Sequence, residues 1–148
     1  MSDLLDRTHY QPGRVYQHFP GKFVSEADHV LFCLITQMTH PIHLDEVFAS
    51  HATKHRTILV ASSYMLSILM GVSADIAPKV YEDMEIVSIY HPLPVFHGDT
   101  IYGETTVLEQ SDPAGDTALQ TVLLETKGIN QHGAMTFSFV RKFLLEAS

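Results

Sequence analysis

The sequence predicts an α+β domain in which helical segments come first and an antiparallel sheet follows. Three observations carry that expectation. The first half holds a capped apolar run and a long uncharged run. The second half holds four stretches rich in β-branched and aromatic residues. Gly, Pro, Asn and Asp cluster between those stretches, where turns need them. At 148 residues and 45% hydrophobic side chains, the chain has the size of one domain with one sizeable core. Residues 1–148 therefore read as a single unit.

The segment GRVYQHFPGKFV reads as extended or looped, punctuated by Pro12, Gly13, Pro20 and Gly21. Ser25, Asp28 and the apolar VLFCLI then predict an N-capped helix. That helix fades near Gln37, because Pro41 pushes His40 out of helical geometry. Asp45 caps a second, short helix, DEVFASHA, which leaves His40 and His43 in a loop between two helices. Thr57 to Ala74 contains no charged residue over eighteen positions, the lower limit for a membrane span. Thr, four Ser and a Gly dilute it, so it predicts a helix buried inside the domain, with Tyr64, Met65 and Met70 as packing residues. After Pro78 come EIVSIYHP, TIYGETTVLEQ, ALQTVLLETKGI and AMTFSFVRKFLL as strands, separated by PLPVFHGD, SDPAGD and NQHG. In the last strand Met135, Phe137, Phe139, Phe143 and Leu145 share one face of a period-two pattern that Arg141 interrupts.

A net charge of −8, with no basic run longer than Lys54–Arg56, argues against a nucleic-acid partner. The same short run is the one local positive spot that could meet a small anionic ligand. The N-terminal MSDLLDRTHY is acidic where an export signal would be basic, so the chain is expected to be cytoplasmic, with no membrane partner. Cys33 has no second cysteine to pair with and sits among apolar neighbours, which makes it a core residue. The ten histidines are scattered, and most are expected at the surface or in turns. His40 and His43, in THPIHLDEVFAS, lack the CxxC, third histidine or HExxH helix of a metal site, so no metal is expected. No GxSxG elbow points to serine hydrolysis. Read from the residues alone, the histidine pair either fills hydrogen bonds in a turn or carries chemistry.

Four motifs in order, SEADHVLFCLI, HPIHLDEVFA, the serine-rich apolar helix and PVFHGDTIYGETTV, resemble the MaoC-like acyl-CoA dehydratases, a group that includes the (R)-specific enoyl-CoA hydratases. The resemblance spans roughly Tyr16 to Phe143. It implies a hot-dog fold, a curled antiparallel sheet wrapped around a long central helix. It also implies a homodimer or higher homo-oligomer with acyl-CoA sites at the interface, and no cofactor. The implied activity is addition of water to a 2-enoyl-CoA, or the reverse, and the form of the motifs points to short branched dicarboxylic acyl-CoAs.

The family's catalytic histidine falls on His43. Its aspartate, five residues earlier, falls on Met38, and an asparagine common in relatives falls on His40. A His-Gly pair whose glycine amide polarises the thioester carbonyl falls on Val60 and Ala61. Ser62 lies beside that amide, and the loop with Phe96 and Gly98 lies along the acyl-CoA groove. Lys54 and Arg56 are the candidates for the CoA phosphates, and Arg14 or Arg56 for a distal carboxylate.

Hydration of an enoyl thioester needs one group to take a proton from water and another to deliver one at the α-carbon. The charge that develops on the thioester oxygen needs a donor such as a helix-end amide. Imidazole titrates near working pH and suits the first task, whereas methionine can do neither. The second role is therefore expected on His40, or it is unfilled. Two other readings remain: a hot-dog thioesterase, although no Asp or Glu lies between Glu46 and Asp75, and an acyl-CoA binding protein that lost its acid at Met38.

Overall fold

The computed structural model describes residues 7–77, 84–111 and 119–146. Short 3-10 turns at Arg7–Tyr10, Pro41–His43 and Ala74–Ile76 punctuate the first half. The strands are β1 (Val15–Phe23), β2 (Glu85–Tyr90), β3 (Thr100–Gln110), β4 (Leu119–Asn130) and β5 (Met135–Glu146), and the helices are α1 (Glu26–Ile35), α2 (Glu46–Ala52) and α3 (Ser62–Val72). Among the described residues the strands form one antiparallel sheet in the order β1-β3-β4-β5-β2. The α+β class is as expected from the sequence, but the order is not helices first: β1, from the segment read as extended or looped, precedes the helices and pairs with β3. The SDPAGD turn lies largely outside the described residues.

Local chemistry explains the helix starts. Ser25 Oγ accepts the Asp28 amide at 3.1 Å, and Asp45 Oδ1 accepts that of Phe48 at 2.9 Å, so each cap satisfies an amide that its helix cannot. The long uncharged segment is not helical throughout. Residues 57–61 are not helical: Leu59 donates to Ile42 O at 3.2 Å and Val60 to Val95 O at 3.0 Å, and helix begins only at Ser62. Uncharged sequence marked burial there, while backbone partners on two other loops chose the conformation. None of the described helices is long and apolar enough to cross a membrane.

One face of the sheet carries the core. Ile101, Gly103, Thr105 and Val107 of β3 alternate inward, as do Val122, Leu124, Thr126 and Gly128 of β4 and Phe137, Phe139, Phe143 and Leu145 of β5. Helix α3 rests on this face. Gly103 and Gly128 are directly opposite in the β3·β4 register, and together they form its seat. A Cβ on Gly103 would stand 2.9 Å from Val72 Cγ2, and one on Gly128 3.0 Å from Leu69 Cδ1. Tyr64, Met65 and Leu69 fill the space above, with Cys33 fully buried against them.

Arg141 does not break the β5 pattern; it stays in phase and is 1% exposed. Its Nη2 donates to Ser73 O and to Ser73 Oγ, both at 3.1 Å. A cation thus closes the carbonyl end of α3, where the helix dipole favours positive charge.

Candidate functional site

The loop between α1 and α2 and the start of α3 bring a group of histidines together. His40 caps the Pro41–His43 turn, its Nδ1 accepting the Ile42 amide at 3.2 Å. His43 is half-buried at the end of that turn, and its Nδ1 lies 2.6 Å from Leu59 O. A carbonyl can only accept, so the neutral ring carries its proton on Nδ1 and keeps a lone pair on Nε2. This is the protonation state a general base requires. The rings of His40 and His43 are 6.2 Å apart, and His40 itself is exposed.

The centre of the group is a residue that the sequence did not single out. His29 of α1 is fully buried, with its ring 6.1 Å from His43, 5.5 Å from Tyr64 and 5.0 Å from His97. Its Nε2 accepts the Ala61 amide at 3.0 Å, and Cys33 Sγ lies 3.5 Å from the same nitrogen. Since an amide can only donate, the His29 proton is on Nδ1, where it is donated to His97 Nε2 at 2.8 Å. Burial first, then the nearby His97 and His43 rings, push the His29 pKa down to about 4. His29 is therefore a neutral link between α1, α3 and the β2–β3 loop. His18 is also buried, bonded through Nε2 to Thr105 Oγ1 at 2.9 Å. These two are exceptions to the expectation that most histidines lie at the surface or in turns, and each finds a hydrogen-bond partner inside the core.

The Ala61 amide, expected to face a thioester carbonyl, is thus already donated to His29. The next two amides of the helix, those of Ser62 and Ser63, have no acceptor among the described residues. Ser62 is exposed, and its Oγ lies 2.7 Å from His91 Nδ1 instead of bonding back along the helix. Val60 is buried and held by Val95. Phe96 packs its ring 5.4 Å from His55, and Gly98 sits at φ +96°, a conformation that lets its amide reach Val24 O at 2.9 Å. Lys54 and Arg56 line an open recess of about 740 Å³ with Ser50, His51, Ala52 and Thr53, and this recess does not include His43. Arg14 is exposed, stacked over Tyr16 and donating to Thr8 O at 3.3 Å.

Met38, the position at which the resemblance leads one to expect an acid, is partly buried and packs against the core around α3. Among the described residues no three His, Cys, Asp or Glu side chains are arranged to hold a metal ion.

A five-stranded antiparallel sheet with a helix across its inner face, and a histidine-bearing loop beside that helix's first turn, defines a hot-dog domain. The chain belongs to the MaoC-like domain family, whose model matches residues 7–128. Solved structures share the fold at low identity. A monoamine oxidase regulatory protein from Archaeoglobus fulgidus is 23% identical, with a TM-score of 0.85 over 97% of this chain and 95% of that one. A MaoC-like dehydratase from Rhodospirillum rubrum is 20% identical, with a TM-score of 0.81 over 96% and 97%. An (R)-hydratase from A. caviae involved in PHA biosynthesis is 23% identical, with a TM-score of 0.68 over 89% and 94%. No curated protein sequence matches the chain significantly.

Proposed function

We propose that the protein adds water to a 2-enoyl-CoA, or removes it from a 3-hydroxyacyl-CoA, with His43 as the proton-transferring base. The observation that carries this reading is the His43 ring itself. Its Nδ1 is tied to Leu59 O, its Nε2 has no hydrogen-bond partner among the described residues, and it belongs to the same histidine group that holds the first turn of α3. Family membership and the hydratase and dehydratase names among similar folds support the reaction class. With the Ala61 amide occupied, the amides of Ser62 and Ser63 are the donors we assign to the thioester oxygen, at the positive end of the α3 dipole. Phe96 and Gly98 would flank the acyl-CoA, and the cationic recess with Lys54 and Arg56 would take its phosphates.

A homodimer is part of the proposal, supported by the free edge of β2. Val87, Ile89 and Tyr90 there are 50%, 52% and 60% exposed, an apolar strand edge of the kind that proteins normally cover. The finer substrate, a short branched dicarboxylic acyl-CoA, rests on the form of the HPIH motif and the serine-rich helix, with Arg56 or Arg14 for its second carboxylate.

One assay separates the readings. Hydration removes the enoyl absorbance of crotonyl-CoA or mesaconyl-CoA, thioester hydrolysis releases free thiol, and a protein that only binds does neither. The expected result is loss of enoyl absorbance in the wild type and none in His43→Ala. Full activity in that variant removes His43 from the reaction. A preference for crotonyl-CoA over mesaconyl-CoA removes the dicarboxylic proposal.

A further inference from the structure

The reaction needs a second group that exchanges a proton with the α-carbon, and Met38 cannot supply it. His40 is a poor replacement, because it is exposed and one of its nitrogens already caps a turn. A better-held pair stands on the other side of the α3 start. Ser62 Oγ, on the first residue of α3, is 2.7 Å from Nδ1 of His91, the residue that follows β2. The His91 ring is half-buried and packs edge-on against Phe137 at 5.3 Å. Its Nε2 is buried and makes no hydrogen bond of ordinary geometry among the described residues, although the Leu93 backbone lies close enough to the ring to favour its protonated form against the larger effect of burial. A buried polar atom without a partner is costly in a finished fold and common where chemistry or a ligand completes the site. Ser62 remains exposed and adjoins the two amides assigned to the thioester oxygen.

We propose that Ser62, backed by His91, is the second proton-transfer group of the hydratase, filling the role that the family gives to the residue at Met38. This rests on the lyase reading above. In dehydration Ser62 Oγ takes the α-proton as its own proton passes to His91 Nδ1. The electron pair of the broken C–H bond moves onto the thioester oxygen as an enolate. The enolate then expels the β-hydroxyl, which leaves as water with the proton on Nε2 of protonated His43. Hydration is the reverse. His43 Nε2 takes a proton from water as the C–O bond forms, and protonated His91 returns its proton through Ser62 to the α-carbon. Burial disfavours the His91 cation, which makes it a stronger acid toward that carbon. Ser62 is the catalytic residue of the pair, and His91 is the positioning and proton-relay residue.

The test uses the full-length chain with crotonyl-CoA between pH 5 and 9. Ser62→Ala and His91→Gln are expected to lower kcat by roughly 10²- to 10⁴-fold while leaving KM nearly unchanged, the range that general acid–base groups contribute. His91→Gln is also expected to remove one limb of the pH profile. A variant pair with wild-type kcat and pH profile overturns the proposal, as does removal of that limb by His40→Gln instead. Histidine nitrogen NMR with butyryl-CoA, a saturated analogue, reads the pair without turnover. Binding is expected to move the His91 titration in the wild type and not in Ser62→Ala, and no movement overturns the proposal. A wild type that hydrates nothing removes the lyase reading, and the NMR result then decides the pair by itself.

Discussion

Acidification is expected to loosen this protein through His29. In the folded chain the ring is fully buried and must remain neutral on Nε2 to accept the Ala61 amide. Its pKa falls from the ordinary 6.5 to about 4. The unfolded chain takes up the proton near 6.5 and the folded chain only near 4, so the unfolded state binds more protons between those values. Stability therefore rises with pH across that window. Above pH 6.5 the ring imposes no cost; the cost grows as pH falls and is complete below about 4. At about 1.4 kcal/mol per pKa unit the full displacement corresponds to about 2–3 kcal/mol. That is a large share of the roughly 5–15 kcal/mol that holds a domain folded.

Chemical denaturation followed by circular dichroism at pH 4 to 8 measures the effect. Buried His18 and half-buried His91 are displaced in the same direction, so the wild-type slope alone does not isolate His29. His29→Gln does, because its Oε1 reaches the Nε2 position and can accept the Ala61 amide without titrating. The expected difference between wild type and variant shrinks by about 2 to 3 kcal/mol as pH falls from 7 to 4. Parallel curves would refute the claim that a buried neutral His29 governs acid stability.

Further expectations follow from packing, capping and charge. Gly103→Ala places a methyl 2.9 Å from Val72 Cγ2 and displaces α3 from its seat, at a cost of about 1–3 kcal/mol in thermal or denaturant unfolding. Ser25→Ala removes the N-cap of α1 and costs about 1 kcal/mol, read the same way. Tyr10→Phe deletes the 2.6 Å bond from a buried hydroxyl to Ile76 O and leaves that carbonyl unsatisfied, for about 1–2 kcal/mol. Replacing both Lys54 and Arg56 by Ala raises KM for an acyl-CoA in a salt-dependent way and leaves KM for the corresponding acyl-pantetheine unchanged.

Much of the scaffold is determined by short-range sequence. Ser25 and Asp45 cap the helices they precede because a cap acts over three residues. The alternation from Phe137 to Leu145 faces one side because a strand has a period of two. Cys33 is buried because its neighbours are apolar, and the order of four motifs is enough to point to the family. The site was legible only in part. His43 was singled out from HPIH as a candidate, but its tautomer depends on Leu59 O, sixteen residues away. The extent of α3 depended on Ile42 and Val95, whose carbonyls take the amides of Leu59 and Val60 ahead of the helix. Tertiary structure alone decided that His29 occupies the Ala61 amide and that His91 reaches Ser62, contacts spanning 32 and 29 residues. No periodicity or propensity encodes such pairs. A hydrogen bond requires two atoms within about 3 Å, and a separation of that size is set by how helix, loop and sheet pack together.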